Sequence, residues 1–103
     1  KLGFPGTINS LLIDTHHFKG NYPDYFNLQA SFISDSSKIT KKQIIKKSLK
    51  WQYLISNEKL GPDREHFFSN LLFKKVVNYV KLNIYPDGGV SRINIFGDIS
   101  NKK

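Results

Sequence analysis

Asp14, His16, His17 and Asn21 stand in one short stretch of this chain, and Lys81, Asn83, Asp87, Arg92 and Asn94 in another. Both stretches hold residue types that could do chemistry. A carboxylate beside an imidazole can move protons near neutral pH. A guanidinium forks onto both oxygens of a carboxylate, which an ammonium cannot do. Carboxamides read the N–H and C=O groups of a ligand. Asp14, His17 and His66 together make a carboxylate and two imidazoles, a set suited to a divalent ion, although no two of them have a spacing that announces ligation. Each residue also has a plainer reading. Asp14 can bond backbone amides in the turn after it, Arg92 can pair with an Asp across a sheet, and His66 can be a packing histidine. Asn21 and Asp87 can simply shape turns.

These side chains need elements to place them. Val80, Leu82 and Ile84 alternate with Lys81, Asn83 and Tyr85, the period of a half-buried strand. Pro86 has no N–H to give an interior ladder, and Pro86-Asp87-Gly88-Gly89 has the residues of a tight turn, the glycines accepting positive φ. Ile93 and Ile95 then alternate with Arg92 and Asn94. The pattern predicts a β-hairpin over residues 81–96, with Lys81, Asn83, Arg92 and Asn94 on one polar face. Near the start, Leu11 and Ile13 alternate with Leu12 and Asp14 in a strand over 10–15, broken by Gly20-Asn21-Tyr22-Pro23. Further strands are expected over 26–32 and 52–55, and the last two over 77–85 and 91–96. In the first of these, Asn27, Gln29 and Ser31 alternate with Leu28, Ala30 and Phe32, which suggests one wet face. Loops are expected at 34–37 and 57–63, and a frayed polar tail from residue 100.

The chain has 103 residues, enough for one small domain, with eight Phe, five Tyr and one Trp to fill a modest core. It has no Cys, which excludes disulfides and thiolate metal sites and suits a reducing compartment. No segment is apolar for long enough to be a membrane-spanning helix. The net charge is +8, but six of the lysines (Lys38, Lys41, Lys42, Lys46, Lys47 and Lys50) crowd one acid-free stretch, and only +2 remains without them. Ile39, Ile44, Ile45 and Leu49 loosely follow helical spacing there, so a short amphipathic helix or a loop fits. With no aromatic residue interleaved, the stretch reads as a solvated insertion and argues against nucleic-acid or membrane partners.

The two chemical stretches also resemble a known family. Ile13 to Pro23 reads Ile-Asp-Thr-x-His-Phe-x-Gly-Asn-x-Pro and is similar to the first signature of the allantoicases. Lys1-Leu2-Gly3 and Gly6-x-Ile8 resemble the segment before it. Trp51, Leu60-Gly61-Pro62-Asp63 and His66 resemble the family's middle segment, and residues 80–97 resemble its closing motif. The resemblance covers residues 1–97 apart from about 33–50, the Lys-rich insertion. It implies an all-β jelly-roll sandwich of the galactose-binding-domain-like type, and a cytoplasmic hydrolase that splits allantoate into ureidoglycolate and urea. It also implies a second repeat in the same protein, and a homo-oligomer is expected.

The chain then corresponds to one partial repeat. Opening on Lys1-Leu2-Gly3 and lacking any Met, it is expected to be a fragment whose preceding strands are missing. The signature's His falls at His17, with His16 at its variable position. Asp14 and His17 are therefore the catalytic candidates, and Asn21, Lys81, Asn83 and Arg92 the substrate-binding candidates. No cofactor is expected, with a divalent metal on Asp14, His17 and His66 as the alternative. The family's closing motif usually has Arg where this chain has Lys81, and often a second Arg at Asn94. Two further readings stay open: a non-catalytic jelly-roll module for a carbohydrate or small anion, and a structural repeat of a degenerate enzyme.

Overall fold

A computed structural model describes residues 1–34, 38–86 and 88–100. The elements run β1 (Gly6–Asp14), β2 (Tyr25–Ser31), α1 (Lys41–Ser48), β3 (Gln52–Lys59), β4 (Glu65–Phe68), β5 (Tyr79–Tyr85) and β6 (Arg92–Ile99). The strands form two three-stranded antiparallel sheets, β4-β1-β6 and β3-β2-β5. Period-two alternation gives each sheet one apolar side, and the two apolar sides face each other. Ile8, Leu11 and Ile13 of β1 meet Phe26, Leu28 and Ala30 of β2 and Leu54 and Ile55 of β3 in one core. Phe26 and Phe68 touch edge to face across it, with ring centroids 4.9 Å apart. The architecture is the expected all-β sandwich with one short helix.

The expected hairpin does not form. β5 pairs with β2, from Tyr25↔Tyr85 to Ser31↔Tyr79, whereas β6 pairs with β1, from Asp14↔Arg92 to Gly6↔Ile99. The link between them crosses from one sheet to the other. This changes what the alternation means. In a hairpin the polar sides of both strands would share a face. In this arch the apolar sides face inward together, so the polar sides point to opposite surfaces of the sandwich. Lys81 and Asn83 therefore lie on the outer side of β3-β2-β5, and Arg92 and Asn94 on the outer side of β4-β1-β6. Nor do the glycines take positive φ. Gly88 and Gly89 are needed for close approach: a Cβ on Gly88 would lie 2.6 Å from the Tyr22 carbonyl carbon, and one on Gly89 would enter the Phe18 ring. Asp87, expected to shape this turn, lies outside the described residues.

β4 was not anticipated, and β3 and β6 run further than expected. The expected wet face of β2 is also corrected. Asn27 and Gln29 do point outward, but both are buried. Asn27 Nδ2 donates to Asn57 Oδ1 (3.0 Å), Asn83 Nδ2 donates to Asn27 Oδ1 (2.7 Å) and Gln29 Oε1 (2.9 Å), and Gln29 Nε2 donates to the Trp51 carbonyl (2.9 Å). The Lys-rich stretch forms α1, started by a capping box in which Thr40 and Gln43 each accept the other's backbone N–H. Ile45 and Leu49 stay exposed, at 59% and 71%.

Three links, 15–24, 60–64 and 86–91, gather at one end of the sandwich. Each joins a strand of one sheet to a strand of the other, because β1, β3 and β5 end there and β2, β4 and β6 begin there.

Candidate functional site

The rim made by these three links joins the two chemical stretches. Asp14 ends β1 on the outward side, in register with Glu65 on one neighbour and Arg92 on the other. Arg92 lies across this row: its Nε donates to Asp14 Oδ2 at 3.1 Å and its Nη2 to Glu65 Oε2 at 2.7 Å. The backbone fastens the same junction. Ser91 N–H donates to the Asp14 carbonyl (2.7 Å), Ser91 Oγ to the His16 carbonyl, and Gly89 N–H to the Asn21 carbonyl (2.6 Å).

Asp14 is a buried carboxylate with both oxygens engaged. Its Oδ1 accepts the His16 N–H at 2.8 Å and lies 3.3 Å from His16 Nδ1. That backbone hydrogen bond above all, then the His16 and Arg92 charges, holds its pKa below the ordinary carboxylate value against the opposing effect of burial. The plainer readings of Asp14 and Arg92, a turn-bonding Asp and a cross-sheet ion pair, are thus both realised. Arg92 keeps Nη1 as its nitrogen without a hydrogen bond among the described residues.

The turn after Asp14 carries two imidazoles. Phe18 N–H bonds the Thr15 carbonyl at 2.9 Å, which makes His16 and His17 the central residues of a four-residue turn. His17 has φ 72, the left-handed region usually reserved there for Gly or Asn. Both histidines are exposed, and their ring centroids lie 5.5 Å apart. It is His16, not His17, that approaches Asp14. The His17 ring makes no hydrogen bond among the described residues, and only its backbone N–H is bound, to Asp63 Oδ1 at 2.8 Å.

The 60–64 link supports this turn from beneath. Thr15 is fully buried; its N–H donates to the Arg64 carbonyl (2.9 Å), and its Oγ1 donates to the Gly61 carbonyl (2.7 Å) and accepts the Arg64 N–H (3.2 Å). His66 points inward from β4. Gly61 N–H must donate to its Nε2 (2.7 Å), so Nδ1 carries the proton and donates to the Ile13 carbonyl (3.1 Å). With both nitrogens bound to backbone, His66 is a packing histidine. Among the described residues no group of three His, Asp or Glu side chains is placed to hold a metal ion, so Asp14, His17 and His66 are not brought together as a ligand set.

Of the residues singled out in the sequence, Asp14, His16, His17, Asn21 and Arg92 lie at this rim. Asn21 docks through its carbonyl and leaves its side chain exposed. Lys81 and Asn83 do not join them. Lys81 pairs in register with Gln29, away from the rim, and Asn83 belongs to the amide cluster on the far surface. Sequence reasoning missed Glu65, Thr15, Asp63 and Ser91. Asp63 and Thr15 stand inside the quoted family segments and could have been noted from them. Glu65 needed the pairing of the unanticipated β4.

Residues 1–100 match a family model described as "Allantoicase: Allantoicase repeat". The "Probable allantoicase" of Stutzerimonas stutzeri (strain A1501) is 44% identical over 99 residues, 95% of this chain and 29% of that protein. The "Probable allantoicase" of Pseudomonas fluorescens (strain SBW25) is 41% identical over 101 residues, again 29% of its length. A crystal structure of allantoicase from Saccharomyces cerevisiae superposes with a TM-score of 0.69 at 30% identity, covering 92% of this chain and 24% of that one. The chain therefore spans under a third of the length of these relatives.

Proposed function

The chain belongs to the allantoicase family, and from that membership we propose that it is a working repeat of an enzyme that hydrolyses allantoate to ureidoglycolate and urea. The observation that best supports this reading is the Asp14–Arg92 pairing, which locks the first family motif to the closing one at a single rim. Hydrolysis must break one bond between the central carbon and a ureido nitrogen. The departing nitrogen takes a proton to leave as urea, and the carbon gains a hydroxyl from water. In the proposed site His17, exposed and with no hydrogen bond to its ring among the described residues, handles the proton on the leaving nitrogen. Asp14 stays ionised, fixes the His16 turn, and offsets positive charge beside it. Arg92 Nη1 reaches the substrate carboxylate while its other nitrogens keep Asp14 and Glu65 in line. The Asn21 carboxamide suits a ureido group. Lys81 and Asn83 drop out of the site because they face the other surface.

The rest of the related proteins, more than two thirds of their length, would include the second repeat, and self-association of the whole protein belongs to the same proposal. The test is urea release from allantoate by the full-length protein, measured with and without added divalent metal. Steady release is expected. No release under either condition would turn the reading toward a non-catalytic module on the same fold.

A further inference from the structure

Among the described residues only two other than glycine have a left-handed backbone, His17 (φ 72) and Asp63 (φ 49). They lie on different links, 46 positions apart, and they hold each other. Asp63 Oδ1 accepts the His17 N–H at 2.8 Å, and the Asp63 N–H donates to the Phe18 carbonyl at 3.1 Å. The two bonds grip both sides of the His17–Phe18 peptide. No glycine in the described chain takes such a conformation, so the unfavourable backbone is confined to this contact. At the third position of the Thr15–Phe18 turn, glycine would sit without strain. A histidine held there at a cost is an inference from an observed outlier to a role for its side chain.

We infer that Asp63 is a positioning residue: it clasps the His16–His17 turn and thereby aims the His17 imidazole out of the rim. This rests on the proposed hydrolase reading for its consequence in rate, but not for the clasp itself. The carboxylate is suited to the work, since the His17 N–H bonded to it, together with the nearby His16, Lys19 and His17 charges, keeps it ionised. Thr15 supplies the floor by tying the 60–64 link to the end of β1, so the clasp has a fixed base.

The experiment uses the full-length protein and three variants. Asp63→Ala removes the acceptor, Asp63→Asn keeps an oxygen in its place, and His17→Gly removes both the imidazole and the strain. Two readouts are needed: urea release from allantoate resolved into kcat and KM, and hydrogen exchange of the His17 amide. Asp63→Ala should speed exchange of the His17 amide and lower kcat tenfold or more, with KM within threefold of wild type. Asp63→Asn should restore most of both. His17→Gly should melt at or above the wild-type temperature and still lose activity, which a purely structural histidine would not do. Unchanged exchange in Asp63→Ala would overturn the clasp, as would an Asp63→Asn variant no better than Asp63→Ala. A His17→Gly protein that melts lower but keeps its rate would overturn the positioning role. A wild-type protein that releases no urea would sink the hydrolase reading alone, because the exchange measurement still decides the clasp.

Discussion

The protein carries two polar clusters on the outward sides of its sheets, built on opposite terms. On β3-β2-β5, the side chains of Asn27, Gln29, Asn57 and Asn83 bond one another and the Trp51 carbonyl. Asn27 and Gln29 are 5% and 3% exposed, and no residue of the cluster has a left-handed backbone. The buried amides of Asn27 and Gln29 are spent on these partners, which ties three strands together. At the rim, Asp14, Arg92 and Glu65 are locked just as firmly, yet they hold up two exposed imidazoles, and both strained residues sit there. Polarity alone does not mark a site. What separates the clusters is whether the held groups leave a donor or acceptor facing out at a cost in backbone strain.

Substitutions can break that contrast. Asp14→Asn in the full-length protein should lower the rate of urea release by about 10²-fold, because the turn that carries His17 shifts, while Asn83→Ala should leave it nearly unchanged in the same assay. If Asn83→Ala lost the rate equally, the amide cluster would be part of the site. Asn83→Ala strands two acceptors, on Asn27 and Gln29, and should cost about 1–3 kcal/mol in denaturant melts; a change too small to measure would mean the cluster is not closed.

Acid should separate the two regions further. Asp14 and Asp63 are both held below the ordinary carboxylate value, so their contribution to stability is complete above about pH 4 and is lost as pH falls through their folded values. The amide cluster contains no titrating group. Hydrogen exchange taken down the acid limb should therefore show the 15–18 turn opening before the β2–β5 ladder, and Asp63→Asn should flatten that early step. The smallest effect is expected far from both. Lys46→Ala and Lys47→Ala on α1 should change stability by no more than about 0.5 kcal/mol, and a larger loss would make the Lys-rich segment part of the core.

Much of this was legible from alternation. Leu11 and Ile13 against Leu12 and Asp14, or Leu82 and Ile84 against Lys81 and Asn83, announce strands and assign inner and outer sides correctly. The spacing of Ile39, Ile44, Ile45 and Leu49 left a short helix and a loop both open, and the structure forms the helix. What alternation cannot say is which strand pairs with which. Pro86 to Gly89 serves a hairpin and an arch equally well, and consecutive strands usually neighbour each other. That choice decided whether Lys81 and Arg92 would share a face, and the structure separates them. The buried amides of Asn27 and Gln29 were unreadable for a related reason, since their partners Asn57 and Asn83 come from two other strands. The strained turn was hidden because glycine was the expected host for positive φ, and here it falls on His17 and Asp63.

In the proposed site the rim presents His17 for chemistry. Its most direct test is the rate of urea release from allantoate at saturating substrate by the full-length His17→Ala protein, corrected for the folded fraction. A fall of about 10²-fold or more is expected, with the melting temperature little changed. A rate within a few-fold of wild type would contradict it.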